Sequence, residues 1–185
     1  MAGMASRRPN PPLIHLIVAI LVVLAPALLA VAWFQRVPDP PVNVIDPTPV
    51  IEAATAAGFP AAVPQNLPDG WVCTRARWTP QGKAGVGGTP AAGNTFALGY
   101  LSPAQMYLAV DQRDAAAEPF VADVTRSGVA DGTSTVVGRA WQRYLSADGR
   151  TRALVWRDGE AVTIVSGDLG YEALEAFAGT LAFGA

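Results

Sequence analysis

The run Asp111-Gln112-Arg113-Asp114 sets two carboxylates, an amide and a guanidinium at four consecutive positions. Two carboxylates held facing one another can divide acid and base work, as hydrolysis of a glycosidic bond requires. Asp111 and Asp114 can approach each other across a turn. At the end of a strand, however, Asp111 or Gln112 equally suits a structural hydrogen bond, and that role is the expectation.

A second varied run is Arg139-Ala140-Trp141-Gln142-Arg143-Tyr144. On a strand, Arg139, Trp141 and Arg143 share one face and Ala140, Gln142 and Tyr144 the other. Two arginines about a tryptophan suit a sugar ring or an anionic headgroup. The competing and preferred reading makes Trp141 a core anchor. The arginines then lay their stems along apolar surface and pair with Asp148 and Glu160.

Other chemistries lack parts. Cys73 is the only cysteine and His15 the only histidine. His15 lies in or beside an apolar segment, so a Cys–His pair in the folded region is excluded, and no intramolecular disulfide can form. Cys73 follows Trp71 in a strand-like run and reads as a buried small hydrophobe. Ser102, Ser127, Ser134, Ser146 and Ser166 offer hydroxyls, but none sits in a Gly-x-Ser-x-Gly elbow. Lys83 precedes the glycines Gly85, Gly87 and Gly88 and is followed by Ala84, whereas a phosphate loop ends in Gly-Lys-Ser/Thr before a helix. The stretch therefore reads as a flexible loop. Without histidine or clustered cysteine only an oxygen-ligated calcium site is conceivable, and no run of alternating acids supplies one. The sequence assigns no catalytic residue, no metal ligand and no cofactor, and it leaves ligand-binding residues undetermined.

The elements that must position these groups follow from period and punctuation. Thr48 can cap a helix over 49–57 with Pro49 in its first turn and Gly58 at its end. Strands are expected over 71–78, 95–101, 106–112, 134–138, 139–146, 151–157 and 161–167. A long loop covers 79–94, and a short helix starting near Pro119 lies within 115–125, with Phe120, Val121 and Val124 on its apolar side. Asp148-Gly149 and Asp158-Gly159 are hairpin turns, so the strands they join are antiparallel. A closing helix over 171–182 carries Tyr171, Leu174, Phe177, Ala178 and Leu181 on one stripe. The fold class is α+β: an antiparallel sheet of about five to seven strands with two or three helices on one face, preceded by a transmembrane helix. The strand-pair-plus-helix units near 95–125 and 151–182 are loosely alike, with Tyr100 and Trp156 as candidate partners in an internal repeat.

Charge narrows the function classes. Both Arg7 and Arg8 precede the apolar segment, and the rest of the chain carries 15 acidic against 11 basic residues. That balance excludes nucleic acid as the expected partner, which would call for a basic face. Residues 13–34, LIHLIVAILVVLAPALLAVAWF, are 22 positions without Lys, Arg, Asp or Glu, and a bilayer core needs about 20 residues of helix. The basic pair favours a cytoplasmic N-terminus, and Trp33 suits the far interface. Pro26 is tolerated in such a helix. The alternative is a signal peptide cut after Ala32 in Ala30-Val31-Ala32. Both readings place the remainder outside the cytoplasm. The expected organisation is a cytoplasmic tail over 1–12, a signal anchor over 13–34, a proline-rich stalk over 35–48 and an extracytoplasmic domain over 49–185.

Several runs together resemble the DUF4245 family of uncharacterised actinobacterial membrane-anchored proteins. They are Asp46-Pro47, Val63-Pro64-Gln65-Asn66-Leu67-Pro68-Asp69-Gly70-Trp71, Gly99-Tyr100, Asp111-Gln112, Val137-Gly138-Arg139-Ala140-Trp141-Gln142-Arg143 and the Leu174–Leu181 helix. The resemblance covers most of the chain, departs at the Gly-rich stretch 82–93, and implies a single-pass envelope protein with no catalytic residues to assign. The expected function is a non-enzymatic binding or envelope-assembly module, held in the lipid bilayer through residues 13–34, with an envelope protein, glycan or lipid as partner. The alternatives are a cell-envelope hydrolase using carboxylates and a sensor-like ectodomain.

Overall fold

The computed structural model describes residues 13–34, 42–85 and 87–184. The expected tail over 1–12 and residues 35–41 of the expected stalk over 35–48 lie outside the described residues. The chain divides into two units, at Pro41 and Val42.

In the first unit, helix α1 spans Leu13–Phe34, 22 residues with Pro26 inside it. Among the described residues no helix is long and apolar enough to cross a membrane.

The second unit is α+β. Its elements in order are α2 (Thr48–Ala56), β1 (Ala62–Pro64), β2 (Val72–Thr79), β3 (Thr95–Leu101), β4 (Tyr107–Arg113), α3 (Ala117–Val124), β5 (Val129–Val136), β6 (Arg139–Leu145), β7 (Arg152–Asp158), β8 (Ala161–Gly167), α4 (Tyr171–Ala178) and β9 (Leu181–Phe183). Seven strands form one antiparallel sheet in the order β2-β3-β4-β8-β7-β6-β5. β1 and β9 form a separate two-stranded antiparallel sheet.

The register explains the two faces. The row Ala76, Leu98, Val110, Val165, Leu154 crosses five strands, and its last four members are buried in a core shared with Ala54 of α2 and Leu174 and Phe177 of α4. On the opposite face the row Arg77, Ala97, Asp111, Ile164, Val155 crosses the same strands. Only its Ile164–Val155 half is apolar, and α3 lays Phe120 and Val121 there. The helices therefore lie on both faces, not one: the row through Val110, Val165 and Leu154 is apolar on one side, the Ile164–Val155 half is apolar on the other, and each apolar area takes a helix. The internal repeat fails for the same reason. The dyad relating antiparallel β4 and β8 runs perpendicular to the sheet and would put both helices on one face.

Other corrections are local. Thr48 is the first residue of α2, not its cap; its N–H is taken by the Asp46 carboxylate at 2.9 Å. The expected stalk end belongs to the domain, because Ile45 N–H donates to the Cys73 carbonyl at 2.8 Å. Residues 129–136 are one strand, and Val137-Gly138 is its two-residue turn into β6, both at positive φ (49° and 72°). A β-branched residue rarely occupies that region, so the turn carries no ordinary sequence signal. The closing helix stops at Ala178, and Leu181 enters β9. The Gly-rich stretch is a hairpin: Gly85 N–H donates to Thr89 O, Ala91 N–H to Lys83 O and Gly82 N–H to Ala91 O, each at 2.9 Å. Asn94 anchors it through Gln81 N–H and the Asp114 carboxylate.

Candidate functional site

The uncovered half of the α3 face is where polar side chains gather. Its floor is small: Ala97 on β3, Ala109 on β4 and Gly99 between them in the adjacent row. A β-bulge makes this possible. Cys73 faces Tyr100 and Arg75 faces Gly99, so two β2 positions span one step of β3, and the extra residue reverses side-chain parity. Cys73 thereby joins Ala76 and Trp78 on the core face, while Arg75 and Arg77 turn to the opposite one. Gly99 keeps the floor low: a Cβ here would displace the Tyr107 hydroxyl and press on Arg75 Cβ at 3.0 Å.

Arg75 reaches across that floor from β2 to β4, and its Nη2 donates to Asp111 Oδ1 at 2.6 Å. Asp111 is only 4% exposed. Its Oδ2 accepts no hydrogen bond from the described residues and is not sealed from solvent. Burial pushes the Asp111 carboxyl above the ordinary aspartate range, although Arg75 opposes that shift. Two cavities meet at this pair. One, of about 540 Å³, runs beside Tyr107, Asp123, Arg126 and Asp168. The other, of about 370 Å³, runs beside Arg77, Arg113 and the 82–91 hairpin. Asp123 and Val124 of α3 border both. Gln105 and Arg126 on the larger cavity hold positive φ (59° and 56°), a strained conformation that tends to collect at binding sites. Together the cavities form one trough with α3 as a wall.

The sequence-selected residues distribute otherwise. Asp111 is in the trough, but Asp114 turns away to bond Asn94 N–H at 2.8 Å and its amide at 2.6 Å, so the two do not form a pair. Gln112, on the core face, is structural: its Oε1 accepts Ala62 N–H at 2.6 Å and its amide donates to Pro60 O and Thr163 Oγ1. Trp141 is buried at 1% exposure, with Nε1 lacking a partner. Arg143 bonds Ser134 Oγ and Glu175 and lies over Tyr171, while Arg139 covers Trp156 and Phe183. The core-anchor reading of that run holds, with Glu175 as the ionic partner in place of Asp148 and Glu160. Cys73 is buried, its thiol raised by desolvation. Lys83 belongs to the hairpin. Among the described residues no group of three His, Cys, Asp or Glu side chains is arranged to hold a metal.

Sequence reasoning missed Arg75, Arg77, Asp123 and Arg126 as trough residues. The shared parity of Arg75 and Arg77 was visible, but the bulge that detaches them from Cys73 was not.

No curated protein matches the chain, and no solved structure matches it. A model of the family described as "Protein of unknown function (DUF4245)" matches residues 9–181, nearly the whole length. The runs quoted from the sequence are distributed from the approach to α2 through the sheet to α4, and the chain belongs to the DUF4245 family.

Proposed function

We propose that this chain is a single-pass membrane protein whose extracytoplasmic domain is a non-enzymatic binding module, with the trough over β2-β3-β4 as its site. The observation that carries the binding reading is Asp111: a carboxylate almost wholly buried at the junction of two cavities, with one oxygen on Arg75 and the other bare. That second oxygen is not sealed from solvent, so it opens into the trough, where a donor group of a ligand can reach it. The anchor reading is supported by 22 helical residues without a formal charge, preceded by Arg7 and Arg8. Its partners are then the bilayer through 13–34 and an envelope protein, glycan or lipid at the domain.

Two experiments test this. Protease treatment of intact cells should remove the domain and leave a protected N-terminal fragment; a mature N-terminus at Trp33 would replace the anchor with a cleaved signal, and a domain digested only after lysis would refute the outside location. The full-length chain in neutral detergent, used as bait on a membrane and wall extract, should retain material saturably, and Asp111→Asn with an intact melt should release it. Retention unchanged by Asp111→Asn would move the site elsewhere.

One observation favours a second reading, the carboxylate hydrolase. A carboxyl raised by burial beside a second carboxylate, Asp123, is how acid and base roles are separated. Turnover of wall glycans that is abolished by Asp111→Asn would select it.

A further inference from the structure

The lattice of side chains in the trough carries information about the ligand. Arg77 on β2 and Arg113 on β4 flank β3 and border the same cavity. Neither makes an ion pair among the described residues. Arg113 is held in place: its guanidinium lies 4.2 Å over the Phe120 ring and its Nε donates to Thr95 Oγ1 at 3.2 Å. That leaves its Nη groups without an acceptor among the described residues. Within this cavity Arg75 and Asp111 neutralise one another, which leaves Arg77 and Arg113 against Asp123 in the lining, while Asp114 acts on Arg113 from outside it. Two guanidiniums without ion pairs among the described residues thus face this end of the trough, although the domain as a whole is acidic.

The spacing adds a second requirement. Asp111 lies in the same cross-strand row as Arg77, with Ala97 between them, and strands two apart are separated by about 10 Å. A ligand bridging the arginines and Asp111 must present an anion at one end and a hydrogen-bond donor a few bonds away. Two guanidiniums approaching from different strands suit a tetrahedral anion with several acceptor oxygens. The bare Asp111 Oδ2 can only accept, which suits a hydroxyl.

Resting on the binding-module reading, we infer that the trough takes a phosphorylated polyol or sugar, its phosphate between Arg77 and Arg113 and a hydroxyl on Asp111. That chemistry occurs both in free phosphate esters and in phospholipid headgroups, and the test separates the two. The full-length chain in neutral detergent is titrated calorimetrically with glycerol phosphate, glucose phosphate, inorganic phosphate and glucose, and separately with micelles doped with phosphatidylglycerol. A phosphate ester or the doped micelles should bind saturably, and glucose should not. Saturation by the soluble esters identifies a free ligand; saturation by the doped micelles alone identifies a headgroup. Arg77→Ala is a change at an exposed, unpaired side chain that leaves the melt intact, and it should weaken binding about ten- to a hundred-fold. Arg113→Ala should do the same. Asp111→Asn should erase the preference for the ester over inorganic phosphate. Equal binding of glucose, or an affinity indifferent to Arg77→Ala, overturns the inference. If no probe binds while the extract bait still retains material through Asp111, the ligand class is wrong and the binding module stands; if the bait also retains nothing, both fall.

Discussion

Arg143, Ser134 and Glu175 meet at distances of 2.6 to 2.7 Å, joining β6, β5 and α4. The Ser134 hydroxyl, and then the Arg143 guanidinium, hold the Glu175 carboxyl below its ordinary value of 4.5. A carboxyl depressed in the folded state stabilises above its unfolded pKa, and the contribution is lost as pH falls through the folded value. Glu175→Gln should therefore lower Tm at neutral pH and lose less than the parent on acidification to about pH 3. Parallel melting curves for the two proteins would remove Glu175 from the acid response. Cys73 offers a chemical readout. Its thiol is 7% exposed, bonded to Arg75 O at 3.3 Å and raised by desolvation, so a thiol reagent should label it only in denaturant; labelling at the native rate of a small thiol would place it at the surface. Gly167 is a steric probe of the sheet centre: a Cβ there would stand 2.7 Å from Tyr107 O, whereas one at Gly170 would meet nothing within 4 Å. Gly167→Ala should cost about 1–3 kcal/mol in denaturant unfolding, and Gly170→Ala less than about 0.5 kcal/mol.

Among the elements, the β1–β9 pair is held to the large sheet by Gln112. Its side chain accepts from the backbone of Ala62 and donates to that of Pro60, both just after Phe59. Gln112→Ala leaves the buried Ala62 N–H without an acceptor and should cost about 1–3 kcal/mol, measured by urea unfolding. A cost near zero would mean that water replaces the amide without loss. The same elements show what was legible in the sequence. β3, β4, β7 and β8 are runs of strand-forming residues closed by Asp-Gly or Ser-Pro punctuation, and the pairings β3–β4 and β7–β8 followed from short turns, whereas β4–β8 left no local signal. α3 and the start of α4 were legible in their apolar spacing. β9 was not: Leu181 fits the helical stripe of α4, and only the partner strand Ala62–Pro64, more than a hundred positions earlier, draws it into a bridge. The Val137-Gly138 turn was hidden by a valine in a conformation that its side chain disfavours. The trough depended on a bulge between Cys73 and Arg75. Such a bulge is set by cross-strand packing on β3 and leaves no local signature, so Asp111 was found while its partner Arg75 was not.

For the molecule as a whole, the unit Val42–Ala185 has its own core, with Leu98, Val110, Leu154, Val165 and Leu174 buried at 0% exposure. Residues 42–185 should accordingly melt cooperatively without α1 and under reducing conditions; a broad, non-cooperative transition would tie the fold to the first helix. The sheet order has one more consequence. β4 lies between β3 and β8, and β8 begins at Ala161 in a chain of 185 residues. Until that segment has been made, the outer row of amide and carbonyl groups on β4 has no mate, and a growing chain presents a bare template to any extended polypeptide nearby. Closure joins segments some fifty positions apart, so it waits on a long loop search and should be the slow event of refolding. The assembly is thus ordered in time: a β2-β3-β4 half that must be sheltered, and a β5-to-β8 meander that arrives last and seals it.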